Sequence, residues 1–279
     1  YQQLSTRGAE LELLDKQQTN QRIGSSKFFG ALFNKSAGTI NPLSYCIGLA
    51  LAAQSKGANI YETTLATKIQ SINGHWLIKT TEGSIEAKML LIATNAYQQP
   101  IKGIKSPEYT SVHYFQVATN PLPEKDTKMI LPNGEGCWDT ASVMSSFRLD
   151  EDNRLIIGGV GNLGHGASKI HTNWARRKIK SLFPNLKNIP IEYNWHGRIA
   201  MTANHIPKIQ KLGNNAYSIF GFSGRGIGPG TYFGKAVVES LLSGDENSLP
   251  VTPMSQNKER YSGIKSKLFE LGATASHLL

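Results

Sequence analysis

The sequence predicts an α/β fold in which a parallel sheet is interrupted by an inserted antiparallel region. A continuous apolar run at residues 88–94 (KMLLIAT) indicates the parallel sheet, and a glycine-rich loop that follows the apolar, strand-like run 217–220 (YSIF) restores the α/β character near the end of the chain. A continuous apolar run is typical of a strand that is covered on both faces, as in parallel sheets. Between these runs, prolines and short strand-like segments become frequent, which is typical of an antiparallel sheet.

The N-terminal part of the chain predicts helices, strands and a hairpin before the first apolar run. Asn41 is a good N-cap, Pro42 suits the first helical position, and Gly57 ends the helix that follows. The expected elements are a helix and a short strand within residues 1–20, a helix over 43–56, a strand over 58–62, and a hairpin of 76–80 with 84–87.

The middle of the chain predicts a second sheet that is covered by one helix. Residues 169–183 carry apolar side chains at helical spacing, whereas the other apolar segments of this region are short. The strand-like segments are 113–119, 128–131, 154–158 and 191–195. We therefore expect this region to form a separate domain inserted into the first.

The composition indicates a folded protein of one large or two ordinary domains, because its 279 residues are 39% hydrophobic and 18% charged. The net charge is +10, but the basic residues are scattered, and the densest cluster, 176–180, falls on one predicted helix. We therefore expect a solvated surface and no nucleic-acid partner.

Two cysteines are too few for a disulfide framework, no apolar run is long enough to span a membrane, and the first residues lack signal-peptide organisation. These features favour a cytoplasmic protein.

The segment Gly221–Gly230 (GFSGRGIGPG) has five glycines in ten residues and leads into an amphipathic helix that ends at Gly244. Glycine allows backbone N–H groups to approach a ligand, and the start of a helix points several free N–H groups at one place. Such a loop suits a phosphate or an electron-rich ring. A mobile surface loop is the other interpretation of the same composition.

Two other glycine patterns carry less information. Gly159–Gly164 matches G-x-G-x-x-G, but no helix opens at its third glycine and no acidic residue follows at the required distance, so we expect a turn. Residues 221–225 (GFSGR) miss the nucleophile elbow, because Arg225 replaces the last glycine. The histidines, including His165 and His171, lack metal-ligand spacing, so no metal site is expected.

Arg198 follows a glycine between an apolar segment and a loop, and we expect it in a turn. Its planar guanidinium could bind a carboxylate through two hydrogen bonds. A surface arginine with no ligand is an equal alternative on the residues alone.

Four segments together resemble one known family. They are residues 30–42 (GALFNKSAGTINP), residues 90–97 (LLIATNAY), residues 113–122 with Asp139 and 147–159, and residues 197–207 with 221–228. In order and spacing they are similar to the D-amino-acid oxidase/glycine oxidase (DAO) family of FAD-dependent oxidoreductases, especially its bacterial amine and γ-glutamylputrescine oxidoreductase branch. The resemblance covers residues 28–244.

The resemblance implies a Rossmann-like, three-layer FAD-binding domain with an inserted α+β antiparallel-sheet substrate domain. The implied FAD-binding domain is discontinuous, over 28–100 and 197–250, and the substrate domain comprises 1–27 and 101–196, with a C-terminal tail at 251–279. The family's N-terminal strand, G-x-G-x-x-G and helix have no counterpart here. We therefore expect the FAD domain to be N-terminally incomplete, and a missing segment or a second chain to complete the site.

The resemblance also implies the chemistry and the residues that serve it. A family member with FAD oxidises the C–N bond of an amine or amino acid by hydride transfer to flavin N5, and the resulting imine hydrolyses without a dedicated catalytic acid or base. Arg198 would bind a substrate carboxylate. The implied FAD-binding residues are Ala66, Ala93, Thr94, Asn95, Gly221, Ser223, Gly224, Arg225, Gly226 and Ile227. The alternative is a non-catalytic remnant that binds a partner or an anionic ligand.

Overall fold

The computed structural model describes residues 1–164 and 166–279. Its helices are α1 (Gln2–Ser5), α2 (Lys16–Ile23), α3 (Pro42–Ser55), α4 (Glu124–Thr127), α5 (Ser168–Leu182), α6 (Ile227–Ser243) and α7 (Ser262–Leu278). Its strands are β1 (Leu11–Leu14), β2 (Ala31–Asn34), β3 (Ala66–Ile72), β4 (His75–Thr80), β5 (Ser84–Ala87), β6 (Leu90–Ile92), β7 (Thr110–Pro121), β8 (Cys137–Trp138), β9 (Ser145–Leu149), β10 (Arg154–Val160), β11 (Ile191–Met201), β12 (Lys208–Gly213) and β13 (Ala216–Phe220). None of the helices within these ranges has the length and apolar character needed to cross a bilayer.

The chain divides into two compact units. Unit 1 comprises residues 1–45, 113–197 and 270–279, and unit 2 comprises residues 46–112 and 198–269. Residues 28–45, which the resemblance assigns to the cofactor domain, therefore group with unit 1, where β2 pairs with β1 from Leu14↔Ala31 to Leu11↔Asn34. The assignment of a function to each domain stays a prediction.

Unit 1 contains most of an antiparallel sheet with strand order β11-β7-β10-β9-β8, of which residues 110–112 of β7 and 198–201 of β11 belong to unit 2. Ile157 on the central strand β10 lies opposite Val117 on β7 and Phe147 on β9. These three side chains pack on the face that α5 covers, together with its buried Ala175 and Ile179. The expected helix over 169–183 is confirmed, and because strand side chains alternate, the residues between the core positions point to the opposite face.

Unit 2 contains two three-stranded sheets, ordered β12-β13-β6 and β3-β4-β5. The β4–β5 hairpin is confirmed, and β13 is buried along its whole length, as its apolar sequence predicts. β6 pairs with β13 in parallel, but it is an edge strand of three residues in which only Ile92 is buried. The expectation of a strand covered on both faces, made for residues 88–94, is therefore wrong for β6. Helix α6 packs on this sheet and ends at Gly244, as predicted.

Two predicted strands do not form. Residues 58–61 form no regular element and have no strand partner among the described residues, and the Ala58 N–H instead donates to the Ala53 carbonyl at the end of α3. Residues 128–131 form a turn, because the N–H groups of Met129 and Ile130 both donate to the Asp126 carbonyl at the end of α4. An apolar segment becomes a strand only where a neighbouring strand can receive its hydrogen bonds.

A buried pair of histidines connects α5 to the end of α7 within unit 1. Nδ1 of His171 lies 2.7 Å from Nδ1 of His277, both side chains are fully buried, and Trp174 stacks on His277 at 4.1 Å between ring centroids. Burial, with smaller contributions from His171 and Arg177, lowers the pKa of His277 to about 4. Burial also lowers the pKa of His171, although the carboxylate of Glu270 opposes the shift.

Both histidines stay neutral in the folded chain because their pKa values are lowered. Once the pH falls below 6.5, the ordinary pKa of histidine, the unfolded chain therefore binds more protons than the folded chain. We expect the free energy of unfolding to decrease by on the order of 2 kcal/mol between pH 7 and pH 5, where carboxylates stay ionised. The substitution His277→Phe should remove most of this decrease, as measured by urea unfolding at both pH values. An unchanged pH dependence in the variant would show that the pair does not control it.

Candidate functional site

The parallel pairing of β6 with β13 brings the turns that follow these two strands to the same edge of the sheet. Ala216, Tyr217 and Ser218 are in register with Leu90, Leu91 and Ile92. The side-chain Oδ1 of Asn95 accepts a hydrogen bond from the Gly221 N–H at 3.0 Å. The structure therefore brings together two groups of predicted cofactor residues, 93–95 and 221–227.

The first residues of the glycine-rich loop are anchored to β11 and the turn after it. The Ser223 N–H donates to the Ala200 carbonyl at 3.1 Å, and the Thr202 N–H donates to Ser223 Oγ at 3.3 Å. Gly221 has φ +80°, and a Cβ there would collide with the Thr202 methyl group. Only glycine fits this position, and the loop leaves the sheet in one defined direction.

The second half of the loop faces solvent. Residues 224–229 are exposed, and α6 begins at Ile227 with Gly226 as an N-cap that has no side chain to accept from the helix N–H groups. The first N–H groups of a helix have no partner within the helix, and they carry the positive end of its dipole. This arrangement can receive an anionic group or an electron-rich ring carbonyl.

Arg198 lies within β11, so the expectation of a turn at this position is wrong. Its backbone N–H donates to the Tyr97 hydroxyl at 3.0 Å, and its guanidinium lies 4.7 Å from the centre of the Tyr97 ring. Tyr97 is two residues after Asn95, so this contact lies beside the same turn. Arg198 is exposed and makes no ion pair with another described residue. Burial raises the pKa of Tyr109, and the charge of Arg198 opposes that shift.

Ala66 belongs to a different sheet from the one that carries the other predicted cofactor residues. It begins β3, where it is in register with Thr80 on β4. The sheet to which it belongs, β3-β4-β5, is distinct from the sheet of β6 and β13. The two sheets share one hydrophobic cluster, which includes Ile69 on β3, Ile92 on β6 and Ala216 on β13, and the role of Ala66 at the cofactor stays a prediction.

The G-x-G-x-x-G pattern at Gly159–Gly164 has a structural explanation in the packing of α5. A side chain at Gly161 would collide with the ring of His171, and one at Gly159 would make a tight contact, at 3.0 Å, with the ring of Trp174. The next helix, α5, begins only at Ser168, so no helix N-terminus opens at Gly164. His165 lies outside the described residues.

Sequence reasoning missed a cavity of about 920 Å³ in unit 1, which none of the predicted site residues lines. Its floor includes Gln116, Arg148 and Ile156, on the face of the antiparallel sheet that α5 does not cover. The start of α3 and Trp195 form further walls. The signal was present in the sequence, because Arg148 stands next to the core residue Phe147 and so must point to the opposite face.

Known proteins resemble this chain in sequence and in fold. The family model of FAD-dependent oxidoreductases (DAO) matches residues 1–240. The "Probable oxidoreductase OrdL" of Haemophilus influenzae is 31% identical over 241 residues, which are 85% of this chain and 55% of that protein. The γ-glutamylputrescine oxidoreductase of Escherichia coli K12 is 30% identical over 241 residues, with the same coverage of 85% and 55%.

The crystal structure of L-proline dehydrogenase from P. horikoshii superposes with a TM-score of 0.76 at 22% identity, and the match covers 88% of this chain and 68% of that chain. This likeness shows the fold. The chain spans about half the length of the curated relatives it matches.

Substitution of Asn95 tests whether its hydrogen bond to Gly221 fixes the positions of the two turns. Asn95 has φ +46°, so Asn95→Ala loses the hydrogen bond and also places alanine in the left-handed region, whereas Asn95→Gly loses only the hydrogen bond. We expect Asn95→Ala to lower the free energy of unfolding by about 2 kcal/mol and Asn95→Gly by about 1 kcal/mol. In both variants the Gly221 amide should exchange faster with solvent.

The matched control is Asn73→Ala, because Asn73 also has a positive φ, +51°, but lies in the exposed turn between β3 and β4. It should lower stability without changing exchange at Gly221. Unchanged exchange at Gly221 in both Asn95 variants would show that this hydrogen bond does not fix the loop.

Proposed function

As the chain belongs to the DAO family of FAD-dependent oxidoreductases, we propose that it takes part in oxidising the C–N bond of an amine or amino acid. The family's cofactor is FAD. Bound FAD supplies the two-electron oxidant for the carbon that bears the amine, which leaves an imine that water hydrolyses. One relative is named for γ-glutamylputrescine, which supports an amine as the substrate of this chain.

The observation that carries the proposal is the pair of turns at one edge of the β12-β13-β6 sheet. The uncapped start of α6, among the exposed residues 224–227, fits a flavin, because the first N–H groups of the helix can donate to a ring carbonyl and stabilise negative charge on it. The residues that would hold the flavin end of FAD are Gly221, Ser223, Gly224, Arg225, Gly226 and Ile227. Residues 93–95 would lie along its diphosphate and ribose, and Ala66 would contact the adenine side.

The part that this chain plays in the reaction is positioning. Arg198 lies on a rigid strand beside Tyr97 and would hold a substrate carboxylate. A reaction of this type needs alignment of the substrate carbon with the oxidant more than it needs a dedicated acid or base. The proposed contributions are therefore hydrogen bonds from the backbone and charge from Arg198 and Arg225.

We propose that residues outside these 279, or a second chain, complete the FAD site. Helix α3 supports this, because none of its residues is buried and its apolar side chains Leu43, Ile47 and Leu51 are 69%, 51% and 61% exposed. The coverage of about half of each curated relative supports it as well.

The two cysteines are free thiols, which favours a reducing, cytoplasmic location.

Charge reversal in the loop tests the flavin assignment. Arg225 is exposed and makes no side-chain hydrogen bond or ion pair with the described residues, so Arg225→Glu should leave the fold unchanged while it places an anion beside the proposed ring site. We expect the dissociation constant for FAD, measured by fluorescence titration of the 279-residue chain, to increase at least about tenfold.

The control is Arg7→Glu, which makes the same charge change at an exposed residue of unit 1. Equal affinity for FAD in wild type and Arg225→Glu would refute the loop assignment. FAD binding that is absent from the wild-type chain and appears only when the completing residues or second chain are supplied would agree with the proposal. FAD binding that is absent in both cases would favour the alternative, a remnant that binds a partner or an anionic ligand.

A further inference from the structure

Residues 270–279, which we call the docked segment, belong to unit 1 and pack there through few side chains. Within the segment, Ala273 and His277 are buried. The ring of His277 stacks on Trp174 of α5 and meets Phe115 of β7 edge to face, with 5.8 Å between the latter two ring centroids. His277 is therefore the side chain through which the docked segment reaches the core of unit 1.

The contact between His277 and His171 leaves no room for a second proton on the pair. The two Nδ1 atoms are 2.7 Å apart, so one of them must donate the hydrogen bond and the other must accept it. Two imidazolium rings would place two N–H groups against each other at this distance. In addition, Nε2 of His277 is buried with no hydrogen-bond partner among the described residues, so an N–H placed on it would be unsatisfied.

Glu270 is the carboxylate that faces the pair, and it acts on one side of it. Its Oε1 lies 3.6 Å from Nε2 of His171 and accepts a hydrogen bond from the Asn162 N–H at 3.0 Å. Its Oε2 lies 3.9 Å from Nδ1 of His113 on β7. Glu270 therefore favours a first proton on His171 or His113, which the docked arrangement can hold.

Arg177 is the cation that faces the pair, and it acts on the other side of it. Its guanidinium donates to the backbone carbonyl of His277. Burial, with smaller contributions from His171 and Arg177, lowers the pKa of His277 to about 4, whereas a histidine released into water has the ordinary value of 6.5. The docked form therefore excludes a proton that the released form binds once the pH falls below 6.5.

We propose that the docked segment is a pH-sensitive switch, which leaves its place on α5 and β7 when mild acid adds a second proton to the His171–His277 pair. The segment stays docked at neutral pH, and its release below pH 6.5 exposes the rings of Trp174 and Phe115. All of the groups involved lie in unit 1, so the switch does not depend on the proposed function.

The test is hydrogen–deuterium exchange of the 279-residue chain at pH 7 and pH 5, where carboxylates are still mostly ionised. Protection factors, which correct each rate for the intrinsic effect of pH, are compared for the amides of residues 270–278. We expect them to fall at least about tenfold at pH 5, because the released form gains the proton at His277. Amides of β10 should remain better protected than the segment, which distinguishes its release from unfolding of the unit.

Two variants remove the titrating group in different ways. His277→Asn keeps an amide that can bond to Nδ1 of His171, and His277→Phe keeps a ring that can stack on Trp174. Both should lose most of the pH dependence at 270–278. The matched control is His205→Asn, which removes an exposed histidine of unit 2 and should behave as wild type does.

A change of less than about twofold in wild type between the two pH values would overturn the proposal. An equal change in wild type and in both His277 variants would also overturn it. So would equal protection of β10 and the docked segment at pH 5, because unit 1 would then open as a whole. If one His277 variant fails to dock at pH 7, the other variant and the wild-type values decide the result.

Discussion

The parallel pairing of β6 with β13 is the constraint on which the candidate cofactor site depends. Parallel strands run in the same direction, so the turns that leave them emerge at one edge of the sheet. The register of Leu90–Ile92 with Ala216–Ser218 fixes how far each turn extends. Asn95 then needs only one hydrogen bond, to the Gly221 N–H, to join two segments that are separated by 126 positions in the chain.

The antiparallel sheet of unit 1 uses strand alternation for two purposes. One face carries Phe147 and Ile157 into the core beneath α5, and the other carries Arg148 and Ile156 into a cavity. Burial of the first face stabilises the sheet by the removal of apolar area from water, at roughly 25 cal/mol per Å². That stability lets the second face hold Arg148, a charged side chain that makes no hydrogen bond or ion pair with the residues the structure describes.

Local patterns predicted the elements that depend on local physics. An N-cap residue and a terminal glycine predict helix α3, a turn sequence predicts the β4–β5 hairpin, and the glycines predict the loop before α6. A few neighbouring residues are enough to predict each of these elements. Residues 58–62 and 128–131 were misassigned because a strand exists only where a partner lies beside it. Arg198 was placed in a turn for the same reason, because the length of β11 is set by its neighbours in the sheet. The cavity over Arg148 depends on strand order, which short segments of sequence do not specify.

The most direct measurement of the central claim is hydrogen–deuterium exchange of the 279-residue chain with and without FAD. We expect slower exchange on addition of FAD at residues 221–227 and 93–95, because the backbone of the loop and the adjoining turn would contact the cofactor. Unchanged exchange in both segments, or protection confined to other parts of the chain, would contradict the claim that these two turns form part of a flavin site.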